Sequence, residues 1–147
     1  MKINIVELEE GFLPTKGSEG AGAYDVYARE SRYKKDSGYL EVMLGFKLAV
    51  PDGYVAKLYP RSSVTDRGLV LGNSVGILDS DFRGEVRARF YPNMSSMMAI
   101  NRPNTTLSDV IRYCENVYRR GEACAQLRIE KNIDIEWEKV SELSSTA

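Results

Sequence analysis

The run Leu44-Gly45-Phe46-Lys47-Leu48-Ala49-Val50, then Pro51-Asp52-Gly53, then Tyr54-Val55-Ala56-Lys57-Leu58-Tyr59-Pro60, decides how this chain is to be read. Leu44, Phe46, Leu48 and Val50 alternate with Gly45, Lys47 and Ala49, the period of two that sends successive side chains to opposite faces of a strand. Pro-Asp-Gly is turn chemistry, and Tyr54 to Tyr59 then reads as a returning strand that Pro60 stops. The pattern recurs in both directions. Ile3 and Ile5 open a short strand, and Tyr24 to Ala28 makes another after the glycine-rich stretch Gly17–Gly22. Val86, Ala88 and Phe90 face one way while Glu85, Arg87 and Arg89 face the other; Ala123–Ile129 and Ile133–Trp137 complete the set. Many short strands between turns predict an all-β domain, a sandwich, jelly roll or barrel. One segment dissents. Leu107, Val110, Ile111 and Cys114 fall at helical spacing behind Thr106 or Ser108 as a cap, predicting a short helix over 107–116 inside a long polar stretch from Pro92 to Arg120.

With 147 residues, 43% of them hydrophobic and 28% charged, the chain is expected to form one domain over 1–147. Its net charge of −1 would repel a nucleic-acid backbone, so a polymeric nucleic acid is not an expected partner. No run approaches the roughly 18 apolar residues of a spanning helix. Met1–Glu10 interrupts its apolar residues with Asn4, Glu7, Glu9 and Glu10, unlike the apolar core of a signal peptide. A reducing cytoplasm, with Cys114 and Cys124 as free thiols, is the expected compartment. There is no histidine at all. That excludes imidazole bases, Ser-His-Asp and Cys-His nucleophilic sites and helical zinc motifs. Chemistry is left to carboxylates, amides, hydroxyls, arginines, main-chain groups and a hard metal.

Four constellations offer such groups. Gly76-Ile77-Leu78-Asp79-Ser80-Asp81-Phe82-Arg83-Gly84-Glu85 carries two carboxylates two apart, followed by an aromatic ring. Taken alone, Asp-Ser-Asp reads more readily as a turn between structural strands. Before it, Gly68-Leu69-Val70-Leu71-Gly72-Asn73-Ser74-Val75 reads as a hairpin whose tip leaves main-chain groups free to pair with the edge of a flat base. Pro60-Arg61-Ser62-Ser63 ends a strand with a guanidinium fork and two hydroxyls, suited equally to phosphate oxygens and to a serine-capped turn. Gln126 and Asp25 each place a polar group within an apolar strand, where it must join a hydrogen-bond network or face a site.

In order, Ala21-Gly22-Ala23-Tyr24-Asp25-Val26-Tyr27-Ala28, Pro60-Arg61-Ser62-Ser63, Gly76 through Val86 and Gly121-Glu122-Ala123-Cys124-Ala125-Gln126-Leu127 resemble the first four of five motifs of the trimeric deoxyuridine triphosphatases. The resemblance implies a jelly-roll-like β-barrel, assembled as a homotrimer with active sites at subunit interfaces. It also implies Mg²⁺-assisted hydrolysis of dUTP to dUMP and pyrophosphate, which limits uracil incorporation into DNA and supplies dUMP for dTTP synthesis. Carried onto this chain, Asp79 would activate the water that attacks the α-phosphorus, a fitting base where histidine is lacking. Asn73, with the main chain of Gly76, Ile77 and Leu78, would bind uracil. Arg61, Ser62 and Ser63 would position phosphates, with Arg87 as a further substrate contact. Gln126 would serve both substrate and metal, holding Mg²⁺ with Asp25 through water, as suits an ion that dehydrates reluctantly. Phe82 stands where the family usually has tyrosine; its ring would pack beneath deoxyribose and clash with a 2′-hydroxyl.

Two further departures shape expectations. The stretch from Phe90 to Arg119 is longer than the family usually has, and Leu107–Asn116 is read as an inserted surface helix. Val140-Ser141-Glu142-Leu143-Ser144-Ser145-Thr146 looks like the approach to a fifth motif, so the expectation is that the glycine-rich closing arm is missing from this chain and that turnover is reduced. Two other readings stand beside the diphosphatase: a dCTP deaminase-like enzyme, and a nucleotide-binding regulatory module on the same scaffold.

Overall fold

A computed structural model describes residues 1–93 and 104–146. Within the long polar stretch, 94–103 lie outside the described residues. Ten strands run through the described chain: β1 (Asn4–Glu7), β2 (Thr15–Lys16), β3 (Tyr24–Tyr27), β4 (Glu30–Lys34), β5 (Tyr39–Ala49), β6 (Tyr54–Pro60), β7 (Leu69–Leu71), β8 (Gly76–Leu78), β9 (Glu85–Pro92) and β10 (Ala123–Lys131). They form two antiparallel sheets. The first has the order β1-β5-β9-β7 with β4 also paired to β5; the second has the order β2-β3-β10-β6-β8.

The alternating residues meet between the sheets. Phe46 and Phe90 from the first sheet and Leu58 and Leu127 from the second belong to one buried cluster. Burial of such a side chain contributes roughly 2 kcal/mol, which sets the facing of each strand. In β9, Val86, Ala88 and Phe90 are buried while Arg87 and Arg89 are exposed.

The long strand β5 is served by two partners on one edge, β4 along Tyr39–Met43 and β1 along Phe46–Ala49. Between them Gly45 takes φ 77° and the register with β9 shifts, a bulge that bends the strand. Its carbonyl accepts from Leu8 N at 2.9 Å. A Cβ at Gly11 would lie 2.1 Å from that carbonyl oxygen, so only glycine fits the crossing.

The helical periodicity is realised as α1 (Leu107–Asn116). Thr106 Oγ1 accepts from Asp109 N, and the Asp109 carboxylate accepts from Thr106 N, a reciprocal cap of the first turn. The helix is not the surface element expected. Val110 and Cys114 are buried in the shared core together with Tyr118, and Glu115 accepts from Tyr33 N at 3.1 Å, covering the edge of β4. Two other expectations are corrected. Ile133–Trp137 forms no strand and has no ladder partner among the described residues, with Trp137 86% exposed. And Gly68–Val75 is no paired hairpin: β7 pairs with β9 while β8 pairs with β6, so the turn between them crosses from one sheet to the other.

Candidate active site

That crossing turn is held where it leaves β7. Gly72 N donates to Arg89 O at 2.7 Å, and Ser74 N donates to Leu71 O at 3.0 Å with Ser74 at φ 62°. It delivers the chain into β8, an edge strand of its sheet. Pairing with β6 uses one side of the β8 backbone, and the other side keeps unpaired N–H and C=O groups, a ready partner for the edge of a planar amide. Gly76 sits opposite Leu58, with Asn73 beside it.

Beyond β8 the chain turns through Asp79–Phe82, where Phe82 N donates to Asp79 O at 3.1 Å. The Asp79 side chain is exposed and has no hydrogen bond or ion pair with any described residue, so both oxygens are open to water. A cleft of about 530 Å³ lies here, lined by Asn73, Gly76, Ile77, Leu78, Asp79, Phe82 and Arg87, all expected from the sequence. Leu58, Gly84, Glu85, Val86 and Arg89 also line it. Glu85 braces the start of β9: Arg29 donates to its carboxylate at 3.0 and 2.9 Å, Gly45 N donates at 3.0 Å, and this pairing raises the Arg29 pKa. Glu41, only 2% exposed, accepts from Arg87 at 3.2 Å and Arg89 at 3.0 Å, with Lys34 at 3.7 Å. It thereby fixes two cations beside the cleft. Sequence reasoning passed over Glu41; the signal was a lone carboxylate in the apolar run Leu40–Leu44.

The remaining expected residues gather elsewhere on the chain, and none of them lines the cleft. Gln126 of β10 lies opposite Asp25 of β3 on one side and Tyr59 of β6 on the other. Asp25 Oδ1 is 3.3 Å from Arg61 Nε, and Gln126 Nε2 donates to Pro60 O at 2.9 Å. The Gln126 amide oxygen is thus left as an acceptor. Ser62 and Ser63 begin a 3-10 turn, Ser62–Val64, and their hydroxyls bond to no described residue. One ion-paired carboxylate beside an amide cannot form an all-protein metal cage, and no group of three or more Cys, Asp or Glu suited to an ion exists among the described residues. The donor set does fit an ion kept largely hydrated and bound through water and phosphate. Thiol chemistry is closed off, since burial pushes Cys114 up to about 11 and Cys124 up to about 12.

The sequence pattern of the dUTPase family matches residues 9–104. The deoxyuridine 5'-triphosphate nucleotidohydrolase of Paramecium bursaria Chlorella virus 1 is 31% identical over 140 residues, 95% of this chain and 86% of that protein. The chain belongs to the dUTPase family. The enzyme of the same name from Dictyoglomus turgidum is 31% identical over 139 residues, covering 91% of this chain and 82% of that one. Among solved structures, the dUTPase of Staphylococcus aureus phage phi11, seen with its species-specific insert, superposes with a TM-score of 0.72 at 21% identity, over 99% of this chain and 100% of that one. A point variant of the phi11 protein, described as coordinating a structural Mg(II) ion, gives 0.71 at 22% over 97% and 98%. These likenesses show the fold, a jelly-roll-like dUTPase barrel.

Proposed function

We propose that the chain hydrolyses dUTP to dUMP and pyrophosphate, as a homotrimer in which the Asp79 cleft of one copy meets the Arg61–Gln126 group of another. The observation that carries the reading is the unpartnered Asp79 carboxylate at the end of an edge strand, in one cleft with Asn73 and Phe82. Uracil pairs through its amide edge with the N–H and C=O groups on the free side of β8. Asp79 takes a proton from water as the water oxygen attacks the α-phosphorus; the bond to the bridging oxygen breaks and pyrophosphate leaves. A placed general base is worth roughly 10²- to 10⁴-fold in such a step. Arg61 and Ser63 hold the phosphate oxygens, and Ser62 donates where charge grows on the bridging oxygen. Asp25 and Gln126 would hold Mg²⁺ through water, and bound there it would neutralise charge on the triphosphate.

The separation of the two groups supports a two-copy site, since none of Asp25, Arg61, Ser62, Ser63 and Gln126 lines the cleft of its own chain. The exposed Ile133, Ile135 and Trp137 supply apolar surface for such an assembly. Pyrophosphate release should be found with dUTP and Mg²⁺ and fall sharply with dCTP, dTTP or UTP. Ammonia release from dCTP would replace the reading with a deaminase, and tight dUTP binding without hydrolysis would replace it with a regulatory module.

A further inference from the structure

We propose that Gly84 sets the sugar preference of this site by seating the Phe82 ring, with Arg83 bracing the turn that carries it; this rests on the dUTP reading and extends it. Phe82 lines the cleft and is 41% exposed, with one end of its ring close against Gly84. A Cβ placed on Gly84 would lie 2.9 Å from Phe82 Cζ and 3.2 Å from Cε2, so the ring rests against a bare Cα. The φ of Gly84 lies outside the left-handed region, and the backbone there is one that alanine accepts. What requires glycine at 84 is therefore the ring and not the turn.

The brace is Arg83. Its Nη1 donates to Ser80 O at 2.6 Å and to Phe82 O at 2.9 Å, tying together two carbonyls of the segment that runs from Asp79 to Gly84. The guanidinium forms no ion pair among the described residues, so these two bonds are its polar work. With Phe82 N closing onto Asp79 O, the water-activating carboxylate and the sugar wall belong to one small hydrogen-bonded turn. Phenylalanine has no hydroxyl to anchor its ring, so contact with Gly84 does the placing. Rejection of a 2′-hydroxyl depends on where the ring edge stands, because the two sugars differ by a single oxygen. A methyl group at 84 meets the far end of a side chain that can rotate, so it displaces the ring without breaking the fold.

The test is calorimetric affinity for the non-hydrolysable imido analogues of dUTP and UTP, alongside a separate pyrophosphate assay. Wild type should favour the deoxy analogue. Gly84→Ala should lower that ratio by roughly tenfold, as should Phe82→Ala, and the double variant should fall no further than Phe82→Ala alone. An unchanged ratio in Gly84→Ala, a further fall in the double variant, or no deoxy preference in wild type overturns the proposal. Should Gly84→Ala not fold, Arg83→Gln at an exposed position decides it, a lowered ratio supporting the seat and an unchanged one overturning it. Wild type that favours the deoxy analogue but releases no pyrophosphate overturns the hydrolysis reading and leaves the seat standing.

Discussion

Asp79 has an open carboxylate in a chain that has no imidazole, and the first prediction concerns that single group. Asp79→Asn keeps the shape and the exposure while removing the base. Pyrophosphate release should fall by at least about a hundredfold while dUTP affinity stays within a few-fold of wild type by calorimetry. Hydrolysis at an undiminished rate would remove Asp79 from its role. At this scale the sequence was informative where chemistry is written into one residue type: Asp79, Asn73, Phe82 and Arg87 do line one cleft. It marked Glu41 only as a lone carboxylate in an apolar run and could not name its partners, because the carboxylate and its cations are 46 and 48 positions apart. Nothing in a linear pattern announces such pairing. Gly84 was equally hidden, since its duty is a contact with a ring two residues earlier.

Among the elements, the connection from α1 to β10 is held by a compact ionic cluster. Arg67 Nη2 donates to Glu122 at 2.7 Å and its Nη1 to Val117 O, Arg119 N donates to Glu122 at 2.8 Å, and the Arg67 guanidinium lies 5.0 Å over the Tyr118 ring. The Arg67 hydrogen bond, with that from Arg119 N, lowers the Glu122 pKa below its ordinary 4.5. The unfolded chain therefore binds this proton more readily than the folded one. Glu122 contributes stability above pH 4.5, and the contribution is lost as pH falls from there through the depressed value. Glu122→Gln should lower the thermal midpoint at about pH 7, and the gap to wild type should shrink as pH is lowered below 4.5. A gap of constant size would show that charge is not what the cluster contributes. Elements were legible where one face is dry, as in β6 and β9. β4 was missed because Glu30–Lys34 carries no apolar alternation, and the first half of β5 because both of its faces are buried. Ile133–Trp137 erred the other way, having the alternation without a sheet to join.

For the molecule as a whole, that last segment is the telling one. Ile133, Ile135 and Trp137 are 79%, 63% and 86% exposed in the single chain, a stripe that water solvates poorly. Trp137 is the sole tryptophan. If three copies cover the stripe, emission should lie to the blue where sedimentation reports trimers and shift to the red on dissociation by dilution or mild denaturant. Trimers with a fully solvated tryptophan would place the contact elsewhere.

The turn between β7 and β8, anchored in one sheet and feeding the other, has a mechanical corollary. A flap hung from one sheet can swing independently, whereas a span clamped to two slabs has only the freedom they allow each other. On the proposed reading, selectivity for the base is then a property of the barrel's stiffness. Loosening the interior far from the cleft, by thinning Phe46 or Phe90, should blur the recognition of a ring those residues never touch.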